Sequence, residues 1–147
     1  MGELKISSQA FNHNGMIPAK FTCKGENISP ALEISGIPNG AKSLALIVDD
    51  PDAPMGTWVH WVVWNIQPIQ KIDEGSVPPG SSQGITDFGK PGYGGPCPPS
   101  GTHRYFFKLY ALDSVLNLPP TSKKSDLENA MKGHILEKAE LVGLFSK

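Results

Sequence analysis

The stretch LALIVDDPDAPMGTWVHWVVWNI, residues 44–66, decides the fold class because it holds two apolar runs separated by an acidic turn with two prolines. Residues 44–48 are continuously apolar and bounded by turn formers, which predicts a buried central strand. Residues 58–66 are dense in β-branched and aromatic side chains, which are typical of a second strand. Between them, Pro51 and Pro54 fix the backbone and exclude both helix and central strand.

The rest of the chain adds strands and long loops. Residues 4–8 predict a short first strand, and residues 103–112 predict a third long strand. Residues 67–102 hold most of the proline, glycine and serine and show no clear periodicity. A stretch of this length without regular structure is usually functional in a small domain. We therefore interpret it as a functional loop system with a short strand or two.

One helix is predicted near the C-terminus. Ser125 and Glu128 match a capping box, in which each side chain bonds a free backbone N–H of the other residue. Gly133 is expected to interrupt or bend this helix, and residues 135–141 are expected to continue it by a turn or two. Several strands with one helix predict a mainly β sandwich or open barrel whose helix covers one edge or face.

Composition and charge exclude several classes of protein. A chain of 147 residues can bury a core without metal or disulfide staples. The net charge of −1 favours neither nucleic acid nor a membrane surface. Residues 44–48 are too few to span a bilayer, and residues 1–6 lack a secretory pattern. Nothing in the spacing of Cys23 and Cys97 indicates that they pair, so we predict free thiols and a cytoplasmic location.

The acidic turn is the first segment with unusual polar chemistry. Asp50 and Asp52 follow the first buried strand on a stiff turn, and strand ends commonly carry binding residues. Taken alone, the turn favours a plainer interpretation, since aspartate and proline are ordinary turn formers in solvated loops.

The second segment is the histidine between aromatic residues. Because side chains alternate along a strand, we expect Trp58, His60, Val62 and Trp64 to share one face. Partial burial there disfavours a charged imidazole unless an acid or anion is near. A core histidine bonded to the backbone explains His60 equally well.

The third segment is the loop of residues 92–102 that leads into His103. Its glycines allow the backbone to approach an anion, and its prolines stiffen the loop. We expect His103, Tyr105 and Phe107 to share one face of the following strand. The loop matches no phosphate-loop pattern, so a rigid connection is the alternative. The convergence of three polar strand ends is what favours a binding site.

These segments resemble the phosphatidylethanolamine-binding protein family, also called the Raf kinase inhibitor protein family. The motifs that carry the resemblance are DPDAP at 50–54, WVHW at 58–61 and GPCPPSGTHRY at 95–105. The segments that resemble its bacterial and archaeal branch are residues 55–57, 92–97 and 133–143. The resemblance extends over almost the whole chain.

The resemblance implies one domain over residues 1–147, built as a sandwich of two antiparallel sheets with a C-terminal helix and long ordered loops. It implies a pocket for small anions such as phosphate or a phosphorylethanolamine-like head group. The residues that it places in this pocket are Asp50, Ala53, Trp58, His60, Gly95, His103 and Tyr105. It also implies a cis Ala53-Pro54 peptide bond and a homodimer.

We therefore predict a binding protein that uses no metal or cofactor. His60 and His103 would donate to the anion together with N–H groups near Gly95, while Asp50 orients one imidazole or accepts from a ligand amine. The resemblance implies inhibition of protein kinases or serine proteases, by way of the pocket or of a surface loop. The alternative is a hydrolase in which these histidines and a carboxylate hold a metal or act as acid and base on a phosphoester.

Overall fold

The structure is a computed structural model that describes residues 3–147. Its strands are β1 Lys5–Ser7, β2 Gly15–Met16, β3 Leu32–Ser35, β4 Ser43–Asp50, β5 Trp58–Ile66, β6 Lys71–Ile72, β7 Ser82–Gln83, β8 Thr102–Leu112 and β9 Ile135–Ser146. One α-helix is present in the described residues, α1 Lys124–Met131, and Ala19–Phe21 forms a 3-10 turn.

The strands form two sheets. The larger sheet has the order β2-β9-β8-β4-β5-β7, and the smaller sheet has the order β1-β3-β6. Neighbouring strands are antiparallel, except that β2 pairs with β9 in parallel. The predicted mainly β, two-sheet architecture is confirmed. The three predicted long strands are consecutive in the large sheet, as β8, β4 and β5.

Apolar layers cover both faces of the large sheet. The inner layer lies between the sheets and includes Leu46 and Trp61. The outer layer lies beneath α1 and includes Trp64 and Leu127, so the helix covers a face, as predicted. Every residue of β4 is buried. A strand covered on both faces needs apolar side chains on both, which explains the continuous run in its sequence.

A bulge in β5 changes the faces of its side chains. Relative to β4, β5 holds one extra residue at His60. His60 therefore lies on the inner side with Trp61, whereas Val62 and Trp64 pack in the outer layer. The prediction that these residues and Trp58 share one face is wrong, because a bulge interrupts the two-residue alternation.

The helix begins two residues earlier than predicted. The N-cap is Lys123, whose backbone N–H donates to Asp126 Oδ2 at 2.9 Å. The predicted box of Ser125 and Glu128 is wrong, since the Asp126 carboxylate takes the capping role. A charged acceptor forms the stronger hydrogen bond, and it also interacts favourably with the helix dipole.

The predicted continuation of the helix is also wrong. The chain turns at Gly133, where φ is 81°, and Ile135–Ser146 forms the strand β9. β9 pairs with β8 along nearly the full length of both strands. This long-range pairing satisfies the backbone groups of the segment and overrides its local helical spacing.

Two local predictions are corrected by the turns and loops. Cys23 and Cys97 form a disulfide, so the predicted free thiols are wrong, and the argument for a cytoplasmic location is wrong with them.

The predicted cis bond between Ala53 and Pro54 is also wrong, because the peptide bonds in residues 3–147 are trans. There the Gly56 N–H closes a turn onto the Ala53 carbonyl at 3.1 Å, and proline suits the second position of such a turn.

No helix among residues 3–147 is both long and apolar enough to cross a membrane.

Candidate functional site

The ends of three central strands of the large sheet, β8, β4 and β5, lie side by side. β4 runs antiparallel to β5 and to β8, so the end of β4 lies beside the starts of both neighbours. This arrangement brings Asp50, His60 and His103 to one cavity of about 560 Å³. Pockets for small organic ligands measure roughly 300–1,000 Å³, so this cavity is large enough for more than an inorganic ion.

All but one of the predicted site residues line this cavity. They are Asp50, Ala53, Trp58, His60, His103 and Tyr105. Gly95 is not among the lining residues, because its N–H donates to Asn27 Oδ1 at 2.8 Å. The expected anion cradle at Gly95 is therefore absent from the cavity formed by the described residues, and this glycine joins two loops instead.

A substitution at Gly95 tests this structural role. A Cβ there would lie 2.4 Å from both the Phe21 carbonyl oxygen and Asn27 Oδ1. We expect Gly95→Ala to lower the free energy of unfolding by about 1–3 kcal/mol in urea denaturation, since overpacking forces the loops apart. Gly40→Ala is the matched control, because its Cβ would meet only Leu136 Cδ1 at 3.7 Å. Equal stability of the two variants would contradict the contact.

His103 is oriented by a buried carboxylate. Its Nδ1 lies 2.6 Å from Asp50 Oδ2, and the two residues are 7% and 3% exposed. The second oxygen of Asp50 accepts the Asp52 N–H at 2.8 Å, which fixes the carboxylate on its turn. Since an ionised carboxylate only accepts, Nδ1 of His103 carries the hydrogen. Nε2 is therefore the nitrogen available to a ligand.

Asp52 faces away from the cavity and ties the turn to β8. Its carboxylate receives hydrogen bonds from Arg104 Nε at 2.9 Å and Nη2 at 2.8 Å. It also accepts the backbone N–H of Arg104 at 2.9 Å. The hydrogen bonds from the guanidinium lower the pKa of Asp52 to about 2. The acidic turn therefore uses its two predicted carboxylates differently: Asp52 anchors the turn, and Asp50 orients His103.

His60 is held in the neutral form. Its Nδ1 lies 2.6 Å from the carbonyl oxygen of Gly94, so Nδ1 carries the hydrogen. Burial lowers the pKa of His60, although the Gly94 carbonyl partly opposes the shift. Phe88 and Tyr105 hold the ring edge-on at 5.4 and 5.3 Å between centroids. Nε2 of the neutral ring is an acceptor, which the sequence-based expectation of two donors did not include.

The rim of the cavity is apolar and exposed. Met55, Trp58 and Phe88 are 97%, 38% and 41% exposed. Trp58 and Phe88 make an edge-to-face contact at 5.6 Å. Gly94 makes room for Phe88, because a Cβ at this glycine would lie within 2.3 Å of the ring. The rim thus places apolar surface directly above the polar floor.

Sequence reasoning missed the residues that the long loop brings to the cavity. They are Asp87, Phe88, Cys97, Pro98 and Pro99, together with residues 54–57 of the turn. Asp87 is fixed by its Oδ2, which accepts the Val59 N–H at 2.7 Å. Phe88, an aromatic residue inside a polar loop, was the one signal in the sequence for these residues. Irregular loops have no periodicity from which the direction of a side chain could be predicted.

The site therefore offers the Nε2 atoms of two histidines and a hydroxyl around one space. Burial raises the pKa of Tyr105, so its hydroxyl keeps its proton and can donate to a ligand. Within residues 3–147, no group of three or more His, Cys, Asp and Glu side chains is arranged to hold a metal ion.

A concave cavity lined by apolar side chains and a few polar groups is typical of ligand-binding proteins, and this two-sheet fold has one at the ends of its central strands. The sequence model of the family described as Phosphatidylethanolamine-binding protein matches residues 7–146, and the chain belongs to this family. The resemblance inferred from its motifs is thereby confirmed.

Similar proteins occur in archaea and bacteria. A UPF0098 protein of Methanothermobacter thermautotrophicus is 53% identical over 98% of this chain and 99% of its own length. A phosphatidylethanolamine-binding protein homologue of Chlamydia trachomatis, CT736, has a crystal structure with a TM-score of 0.96 and 43% identity, covering 100% of this chain and 99% of that one. The structure of Escherichia coli YbcL, described as a new member of the mammalian PEBP family, has a TM-score of 0.92 and 31% identity, covering 99% of each chain.

Proposed function

We propose that this protein binds a phosphoryl-type anion in the cavity. The observation that carries the proposal is the buried pair of His103 and Asp50, 2.6 Å apart, which leaves Nε2 of His103 for a ligand. When this ring is protonated, Nε2–H donates to an anion while Asp50 balances the charge. Hydrogen bonds to charged groups contribute about 1.5–3 kcal/mol each, so a bare anion binds weakly and specificity depends on the second histidine.

His60 supports a particular kind of anion. Its neutral ring presents a lone pair on Nε2, so it favours a ligand that carries an O–H group. A phosphate monoester has its second pKa at about 6 and keeps one proton on part of its population near neutral pH. Such a group accepts from His103 and donates to His60. Sulfate has no proton to donate, and its oxygens would face the unpaired acceptor.

This complementarity predicts discrimination between two anions of similar size. At pH 6.5, calorimetric titration is expected to show that inorganic phosphate binds about tenfold more tightly than sulfate. The difference arises because sulfate leaves the Nε2 acceptor of His60 unpaired. His60→Gln is the matched variant, because its amide can donate as well as accept, and we expect the preference to fall toward one. Equal affinity of the unmodified protein for both anions would contradict the role of His60.

The size of the site supports a ligand larger than phosphate. The cavity of about 560 Å³ extends from the histidines to the exposed rim of Met55, Trp58 and Phe88. Exposed apolar patches with polar surroundings commonly mark surfaces that bind other proteins. We infer that the anion is a phosphorylated side chain of a protein partner, which would connect the cavity to inhibition of a kinase or a serine protease. We also propose a homodimer, on the family resemblance alone.

No observation on residues 3–147 favours the alternative of a phosphoester hydrolase, and we do not propose it.

A further inference from the structure

An exposed disulfide stands at the edge of the cavity. Cys23 and Cys97 are the two cysteines of the chain, both are exposed, and Cys97 lines the cavity. We call residues 97–101 the lip segment; its Pro98 and Pro99 also line the cavity. Exposed disulfides are accessible to attacking thiolates, and they are the ones that most often serve as reversible sites.

The loop before the lip segment does not depend on the disulfide. Tyr93 donates its hydroxyl to the Phe21 carbonyl at 2.8 Å, and Gly95 N–H donates to Asn27 Oδ1 at 2.8 Å. The Pro96 carbonyl accepts from the backbone N–H of residue 23 at 3.1 Å. Three hydrogen bonds therefore hold residues 93–96 against residues 21–27 whatever the state of the sulfur atoms.

The lip segment itself has few other hydrogen bonds. Its next hydrogen bond to the described part of the chain is at its far end, where the Gly101 carbonyl accepts the Lys147 N–H at 3.1 Å. The two prolines of the segment have no N–H to donate. Between residue 96 and residue 101, the wall that Pro98 and Pro99 form is thus restrained by the disulfide and by the packing of the buried Pro98, while Pro99 is exposed.

We propose that the disulfide of Cys23 and Cys97 is a reversible modification site at which a dithiol reductant loosens the lip segment and weakens ligand binding. A thiolate of the dithiol attacks one sulfur, forms a mixed disulfide and expels the other cysteine as a thiolate, which takes up a proton. The second thiol then attacks the mixed disulfide and releases the first cysteine. Two electrons and two protons pass to the protein, and the reductant leaves as a disulfide.

The consequence for binding rests on the proposed function. In the oxidised protein the lip segment is ordered before the ligand arrives, whereas in the reduced protein binding must order it. His103 and Asp50 lie on β8 and β4, so the polar floor is the same in both states. We therefore expect reduction to weaken binding without abolishing it, by roughly three- to tenfold for a ligand that touches the wall.

The test compares oxidised protein with protein reduced by dithiothreitol at 25 °C, with circular dichroism as the check that both are folded. Phenyl phosphate tests contacts with both the polar floor of His103 and Asp50 and the wall of Pro98 and Pro99. Inorganic phosphate tests contacts with the polar floor alone. We expect weaker binding of phenyl phosphate after reduction, with a smaller change for inorganic phosphate. Amide hydrogen exchange is expected to accelerate at Lys147, whose N–H donates to the Gly101 carbonyl at 3.1 Å, and to stay constant at Gly94 and Gly95.

A double variant, Cys23→Ser with Cys97→Ser, serves as the matched control. It is expected to behave like the reduced protein and to be insensitive to dithiothreitol. Unchanged exchange at Lys147 on reduction, or resistance of the native disulfide to dithiothreitol, would overturn the inference whatever the affinities are. If neither phosphate compound binds the oxidised protein, the proposed function fails, and the exchange result still decides the state of the lip segment.

Discussion

Replacing His103 with alanine is expected to weaken the binding of inorganic phosphate by about ten- to a hundredfold, because it removes the charge-assisted donor at the floor of the cavity. Asp50→Asn should weaken binding by a similar factor, since the amide no longer balances a protonated His103 at 2.6 Å. Because Asp50 acts through His103, the two effects should not add. Calorimetric titration of both single variants and the double variant at pH 6.5 measures this coupling.

The chain supplies a matched control for this experiment. Nδ1 of His134 lies 2.8 Å from Asp113 Oδ1, which makes the same kind of pair on the surface, away from the cavity. His134→Ala is expected to leave phosphate affinity unchanged. If His103→Ala also binds as well as the unmodified protein, the anion lies elsewhere and the proposed function is wrong.

The second large effect concerns stability. Cys23 and Cys97 are 74 residues apart in sequence, so their disulfide closes a long loop and restricts the unfolded chain. Removing such a link costs about 2–5 kcal/mol. We expect the Cys23→Ser, Cys97→Ser variant to lose about 3 kcal/mol of unfolding free energy in urea at 25 °C. Its Tm should fall by roughly 6–12 °C at this chain length.

Reduced, unmodified protein separates the disulfide from the substitutions themselves. It should match the double serine variant, because both cysteines are exposed and the serine hydroxyls stay hydrated. Stability equal to that of the oxidised protein in both samples would mean that the link does not constrain the unfolded chain. A loss in the serine variant alone would assign the effect to the side chains.

The centre of the large sheet could be predicted from local sequence. The apolar run of residues 44–48 and the β-branched run of residues 58–66 became β4 and β5. Both runs are buried on two sides in the fold, so the hydrophobic effect acts on them in any arrangement that forms a core. The strand ends that carry Asp50, His60 and His103 were predictable for the same reason.

The C-terminal segment could not be predicted in this way. Residues 135–141 carry a weak helical spacing, yet they form β9 because β8 offers a complete set of backbone partners. Propensity is a weak preference that such tertiary pairing overrides. The start of α1 shows the same limit on a small scale, since the N-cap is Lys123 with Asp126 as its capping carboxylate, while Ser125 lies inside the helix.

Within the site, sequence determined which groups are present, and tertiary structure determined what each one does. The motifs supplied two histidines, two aspartates and a glycine-rich loop. The bulge at His60 and the Gly94 carbonyl made one histidine a neutral acceptor, while Asp50 fixed the ring of His103 through Nδ1 and left its Nε2 for a ligand. The partner of Gly95 and the pairing of Cys23 with Cys97 come from loops far apart in sequence. Periodicity reports on neighbours along the chain, whereas tautomer, hydrogen-bond direction and disulfide pairing depend on neighbours in space.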